Sequence, residues 1–208
     1  MNQEFNEHDS LRLITQMIRQ AKIDLQKGSG NQILLWGYSI AAIAIINFAL
    51  VQIYGSRNAA IYAVWALCIP LLGLSMLLRR RKSIERTAVS RIGSMIASVW
   101  NACSISLGVI ICIFYTIAAG SGAGEHFALI VPVIMAVTGL ALFATGRICR
   151  FRPCIYGSAV FWAGALACAI LTAGLHRHDL HLLVLAACMA AGFVVPGHLL
   201  NRYVGQGT

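Results

Sequence analysis

Six long apolar runs, separated by short segments that carry almost all of the charge, dominate this sequence. Each run has about 20 residues or more, enough at about 1.5 Å per residue to cross a hydrocarbon layer of about 30 Å. A backbone in lipid must satisfy its own hydrogen bonds, so each run is predicted to be a helix. The sequence therefore predicts an all-α, polytopic membrane helix bundle with six transmembrane helices. Their approximate limits are 32–54, 59–78, 92–118, 127–148, 154–174 and 181–200.

The composition agrees with residence in a membrane. Hydrophobic residues make up 59% of the 208 residues and charged residues 11%, against about 25% charged in ordinary soluble domains. The net charge of +9 would suggest nucleic acid in a soluble protein. Here the basic residues lie beside apolar spans, so we expect contact with anionic lipid headgroups and no nucleic-acid partner.

The distribution of lysine and arginine predicts the orientation. When the two terminal segments are included, and Arg147 is counted with the connection that it borders, alternate segments outside the spans hold 14 basic residues on one side and 2 on the other. Because the basic side of a membrane protein is the cytoplasmic side, both termini are predicted to be cytoplasmic. The largest contribution is the block Arg79, Arg80, Arg81 and Lys82 in the second connection. These four side chains are predicted to face anionic headgroups.

An amphipathic helix is predicted before the first span. Apolar residues recur at helical spacing at Leu11, Ile14, Ile18 and Leu25, and arginine, lysine and glutamine occupy the opposite face. One interpretation is a helix that lies on the membrane or packs against the bundle. The other is a docking surface for a cytoplasmic protein partner.

The chain is expected to have three parts: a cytoplasmic segment with the amphipathic helix (1–31), a six-helix transmembrane domain (32–200) and a cytoplasmic tail (201–208). Tryptophans and prolines recur at intervals of about 60 residues, a spacing that three helical hairpins would produce. The alternative is that the tryptophans are ordinary anchors at the membrane interface. The tryptophans are Trp36, Trp100 and Trp162, and the prolines are Pro70, Pro132 and Pro196.

Small residues at four-residue spacing predict where helices pack, because they let two backbones approach closely. The fifth span has Ala159, Ala163 and Ala167 at this spacing, and the sixth has the pair Cys188 and Gly192.

Three short stretches resemble a group of uncharacterised six-span bacterial inner-membrane proteins. They are the amphipathic opening from Ser10 to Lys22, the sequence Leu34-Leu35-Trp36-Gly37, and the ending Pro196-Gly197-His198-Leu199-Leu200-Asn201. Some members of the group are encoded beside winged-helix transcriptional regulators. The resemblance implies a signalling role and supplies no site residues.

Histidines collect on the predicted outer side. His126 lies in the third connection, and His176, His178 and His181 lie in or beside the fifth. Imidazoles near carboxylates can hold Zn²⁺ or another divalent ion. The alternative is a polar connection that keeps the ends of the spans in water. These four histidines are the candidate metal ligands, and no cofactor is predicted.

The sequence contains no Gly-x-Ser-x-Gly, His-Glu-x-x-His or P-loop motif, so no enzymatic activity is predicted. We expect a non-enzymatic membrane protein that signals to, or docks, a cytoplasmic partner. The alternative is a small-molecule transporter or channel, with Asn101 and Ser104 as candidate pore-lining residues. Apart from Arg147 at the end of the fourth run, no acidic or basic residue lies within the spans, which disfavours a proton-coupled carrier.

Overall fold

The computed structural model describes residues 29–55, 59–84, 91–121, 129–175 and 177–205. These segments are almost entirely helical, so the prediction of an all-α chain is confirmed for them. The α-helices are α1 (Ser29–Tyr54), α2 (Cys68–Ile84), α3 (Arg91–Ser121), α4 (Ile130–Cys149), α5 (Arg152–Ile170), α6 (Leu180–Met189) and α7 (Val195–Gly205). A 3-10 helix, Ala59–Leu67, precedes α2, and π-helical turns at Leu171–Leu175 and Ala190–Val194 follow α5 and α6.

Five helical stretches in these segments are long and apolar enough to cross a membrane. They are Gly30–Tyr54, Gly93–Ile117, Ile130–Cys149, Arg152–Leu175 and Leu180–Arg202. They correspond to the first, third, fourth, fifth and sixth predicted spans, with ends that differ by a few residues.

The second predicted span has a different structure. Its first half is the 3-10 helix, and α2 begins only at Cys68. Pro70 has no backbone N–H and cannot donate the bond that a continuous α-helix would require at this point. In the structure Pro70 stands in the first turn of α2, where backbone amides have no partner within the helix.

Several predicted boundaries can be compared directly with the structure. α1 begins at Ser29, three residues before the expected start of the transmembrane domain at 32, and α7 continues past 201 to Gly205. The block Arg79–Lys82, expected in a connection, lies within α2. The predicted amphipathic helix and its docking residues Leu11, Ile14, Ile18 and Leu25 lie outside the described residues.

The core forms where α4, α5, α6 and α7 meet α1. α4 and α5 make an antiparallel hairpin, and α1 packs along α6, the second π turn and α7. Phe161, Met135 and Leu142 are almost completely buried in this core, and the Phe161 ring meets Phe193 edge to face. α3 packs mainly along α4 and reaches the core through Trp100, whose ring meets Phe193 edge to face.

Two glycines mark a close approach between α5 and the second π turn. A Cβ added to Gly157 would come within 2.7 Å of the carbonyl oxygen of Gly192. A Cβ on Gly192 would come within 2.6 Å of the Phe161 ring. Neither position can accept a side chain without movement of its neighbours, so the two glycines set the distance between these helices.

Candidate functional site

Polar contacts gather at the two ends of the bundle. At one end, Gln52 at the close of α1 donates a hydrogen bond to Asp179, just before α6 (2.9 Å). We call this the histidine end, because His178 and His181 lie there. At the opposite end, Asn201 of α7 donates to Asn31 at the start of α1 (2.8 Å). We call this the basic end, because it includes the arginine-rich turn between α4 and α5.

His181 is the most buried polar residue of the histidine end, with 1% of its surface exposed. Its Nε2 lies 3.0 Å from Oγ1 of Thr172, and the Thr172 hydroxyl donates its one proton to the carbonyl of Cys168 (3.0 Å). Thr172 therefore links the imidazole of His181 to the backbone of α5, and this contact occupies Nε2.

Of the other three predicted metal ligands, the structure describes only His178. His178 is exposed, and its ring meets that of His181 edge to face at 5.8 Å. His126 and His176 lie outside the described residues. Among the residues that are described, no group of three histidine, cysteine or carboxylate side chains is arranged to hold a metal ion. The structure thus brings two of the four candidate ligands together and leaves the other two untested.

A charged pair organises the connection before α6. The guanidinium of Arg177 donates two hydrogen bonds to the carboxylate of Asp179, each 3.0 Å long. The bonds from Arg177 hold the pKa of Asp179 at about 2 and raise the pKa of Arg177. Because Gln52 also donates to Asp179, this pair ties the connection to α1. Nothing in the sequence spacing predicted the Gln52 contact, since 127 residues separate the partners.

At the basic end, the start of α1 is tied to α7. Besides the Asn201–Asn31 bond, the hydroxyl of Tyr38 lies 2.8 Å from Nε2 of His198. This contact gives His198, near the end of the last span, a polar partner on α1. The two termini of the described bundle are therefore held together.

Polar side chains inside the spans mostly bond to their own helix. Thr138, Thr145 and Ser158 each donate to a backbone carbonyl three or four residues earlier, and so does Ser104 of α3. Such bonds satisfy the hydroxyl and leave it unable to donate to a passing solute. Asn101, the other predicted pore-lining residue, is exposed on the surface of α3.

Asn47 is the exception among these residues. Its side-chain amide is fully buried and donates to the carbonyl of Ile61 in the 3-10 helix (2.8 Å), which links that helix to α1. Within the described part of the chain its Oδ1 has no hydrogen-bond partner.

Taken together, the fold and the ends define an all-helical protein with membrane-crossing apolar helices and polar contacts concentrated at both ends. Comparison of the chain with protein-family models, curated proteins and solved structures finds no match.

Proposed function

We propose that this chain is a non-enzymatic integral membrane protein that docks a cytoplasmic partner and signals through it. The observation that carries the proposal is the closely packed interior, in which hydroxyls within the spans bond to their own helices. In the described bundle the largest core side chains are fully buried. An interior of this kind can hold binding surfaces in place at its two ends. It presents few free polar groups to a solute that crosses the membrane.

The proposal includes a six-span topology of three hairpins with both termini in the cytoplasm of a bacterium. The second span would combine the 3-10 helix with α2 as far as Leu77. Nine residues at about 2.0 Å and ten at about 1.5 Å reach about 33 Å, enough to cross the hydrocarbon layer. The lysine and arginine count supports this orientation, because it alternates at every connection only when six spans are counted.

The proposed docking surface is the apolar face of the N-terminal helix, formed by Leu11, Ile14, Ile18 and Leu25. In the proposed topology it shares the cytoplasmic side with Arg79–Lys82, whose charges would hold anionic headgroups. A protein partner would therefore meet an apolar helix face beside a basic membrane surface.

Site-directed photo-crosslinking in native membranes tests this surface. A photo-reactive residue at Ile14 or Ile18 of the full-length protein should link to one defined protein species. The same residue at Gln16 or Gln20, on the predicted polar face, serves as the matched control. An excess of a peptide covering residues 10–27 should compete for the link. If Ile14 and Ile18 link only to lipid, the helix lies on the membrane and the docking proposal fails.

Transport is the alternative function, and the described interior supports it less. Substitution of Asn101 or Ser104 would impair a transporter and leave docking intact, whereas deletion of 1–27 would have the opposite effects. A solute flux that survives the deletion and is lost in Asn101→Ala would favour transport.

A further inference from the structure

The turn between α4 and α5 forms a basic groove at the basic end of the bundle. Three arginines, Arg147, Arg150 and Arg152, line an open cavity of about 440 Å³ together with Gly146 and Ile155. Three arginine residues thus line one cavity within a stretch of six residues. This groove plays no part in the docking surface proposed above.

The backbone of this turn carries arginine where glycine would be more stable. The N–H of Phe151 bonds to the carbonyl of Gly146 (2.9 Å), and that of Arg150 to the carbonyl of Arg147 (3.4 Å). This pattern places one residue in the left-handed conformation, usually a glycine. Here it is Arg150, with φ 52° and ψ 37°, the one non-glycine residue with positive φ in the described segments. Residues with a strained backbone conformation of this kind cluster at active sites and ligand-binding sites.

The charge of the groove is not balanced by a carboxylate within the described chain. Asp179 is the only acidic residue among the described segments, and it lies at the histidine end, bonded to Arg177. The arginines keep their positive charge at physiological pH. A guanidinium presents paired N–H groups whose spacing matches two oxygens of a phosphate.

From the three arginines, the cavity and the left-handed Arg150, we propose that the α4–α5 groove binds a phosphate-bearing anion. The ligand class is a phosphate mono- or diester, supplied by an anionic phospholipid headgroup or by a soluble phosphate compound. Basic pockets between membrane helices are a recognised setting for headgroup binding. The site requires only the α4–α5 hairpin, so it stands or fails independently of the docked partner.

Binding is tested with the full-length protein in nanodiscs. One arm compares phosphatidylglycerol with phosphatidylcholine and counts the lipids that the protein retains in native mass spectrometry. The other arm uses phosphatidylcholine nanodiscs and measures Tm in sodium phosphate against sodium chloride of equal ionic strength. A gain in the first arm alone identifies the lipid as the source, and a gain in the second identifies soluble phosphate. No gain in either arm overturns the proposal.

The variants Arg147→Gln, Arg150→Gly and Arg152→Gln should each weaken the response by about tenfold, as expected for loss of one charged hydrogen-bonding group. Arg202→Gln is the matched control, because Arg202 is exposed on α7 at the same end but does not line the groove. It should respond within about twofold of wild type. An equal loss in Arg202→Gln would show a general charge effect and overturn the site.

Arg150→Gly separates binding from folding. Glycine relieves the left-handed strain, so this variant should unfold at a higher temperature than wild type when no phosphate-bearing ligand is present. It should nevertheless bind the anion more weakly. Full retention of the anion response in Arg150→Gly would contradict a role for that side chain.

Discussion

The third helix and the last membrane-crossing stretch are equally apolar, yet they are packed very differently. The stretches Gly93–Ile117 and Leu180–Arg202 both have a mean hydropathy of 2.0. In the most apolar part of each, 6% of the residues of the first are buried inside the described protein, against 56% of the second. Hydropathy therefore predicts that a helix enters the membrane and says little about whether protein or lipid surrounds it.

The glycines of the two stretches show the difference at the level of single atoms. A Cβ on Gly192 would strike the Phe161 ring, whereas a Cβ on Gly108 of α3 would meet nothing within 4 Å. The same residue type serves close packing in one helix and has no packing role among the described neighbours of the other. Paired substitutions in the two stretches can break or sharpen this comparison.

Leucine and isoleucine truncations should show the largest contrast. Leu185 of α6 is 5% exposed and Ile105 of α3 is 69% exposed. Leu185→Ala should reduce the free energy of unfolding by about 2 kcal/mol, because the buried contacts of the leucine side chain are lost. This value is at the low end for buried leucines, since a side chain that leaves the core enters lipid rather than water. Ile105→Ala should change it by less than about 0.5 kcal/mol. Denaturant titration in mixed micelles measures both, and equal losses would show that α3 is packed against another surface.

Alanine at the two glycines should give effects of opposite sign. Gly192→Ala should destabilise by about 1.5 kcal/mol, because the Phe161 ring that it would strike is itself fully buried and cannot move aside freely. Gly108→Ala should stabilise by about 0.5 kcal/mol, since alanine favours the helix and meets no neighbour. The same titration measures both variants. A destabilised Gly108→Ala would place a helix partner on that face of α3.

Removal of the two span asparagines should also give unequal effects. Asn47→Ala loses the bond to the Ile61 carbonyl and should cost about 1 kcal/mol. Asn101→Ala, at an exposed position, should leave stability almost unchanged. Thermal unfolding followed by tryptophan fluorescence suits this pair, because Trp65 of the 3-10 helix packs beside Ile61. If Asn101→Ala proves as damaging as Asn47→Ala, the polar group of α3 has a partner.

The smallest effect is expected where the last stretch begins. Asp179→Asn should lower Tm by about 1 °C at neutral pH, because ion pairs at a protein surface stabilise weakly. The pKa of Asp179 lies at about 2, below its ordinary value of 3.8. The stabilisation is therefore complete above about pH 4 and is lost as pH falls toward 2. Melting curves of both proteins across this range should converge at the acidic end.

The sequence predicted the positions of the helices better than it predicted which face of each helix is buried. Apolar runs located five helices to within a few residues, because membrane thickness dictates their length. The alanine stripe of α5 misled: Ala159 and Ala163 are exposed, and Gly157, Phe161 and Gly164 on the opposite face make the contacts. The alanines and the buried set both have helical spacing, so spacing alone does not tell them apart. The buried set contains glycine, which permits the closer approach of a neighbouring helix.

The candidate sites were harder to predict. Histidine clustering drew attention to His181, but its contact with Thr172 depends on how the fifth and sixth stretches are aligned. The basic count included Arg150 as one charge among many, and no spacing rule places an arginine in a left-handed turn. Local patterns do not encode contacts between segments, so these features required the structure.

The π turn at Ala190–Val194 keeps the same face of the last stretch buried on both sides of the turn. Between His181 and Leu200 the buried positions complete about five turns in 19 residues. A uniform α-helix of that length turns about 100° further, so its buried face would rotate away from the core. A wider turn takes up this rotation at one place. Loss of a single residue there, such as Ala191, would leave α6 seated while α7 turned Asn201 away from Asn31. Cysteine crosslinking between positions 31 and 201 would report that rotation directly.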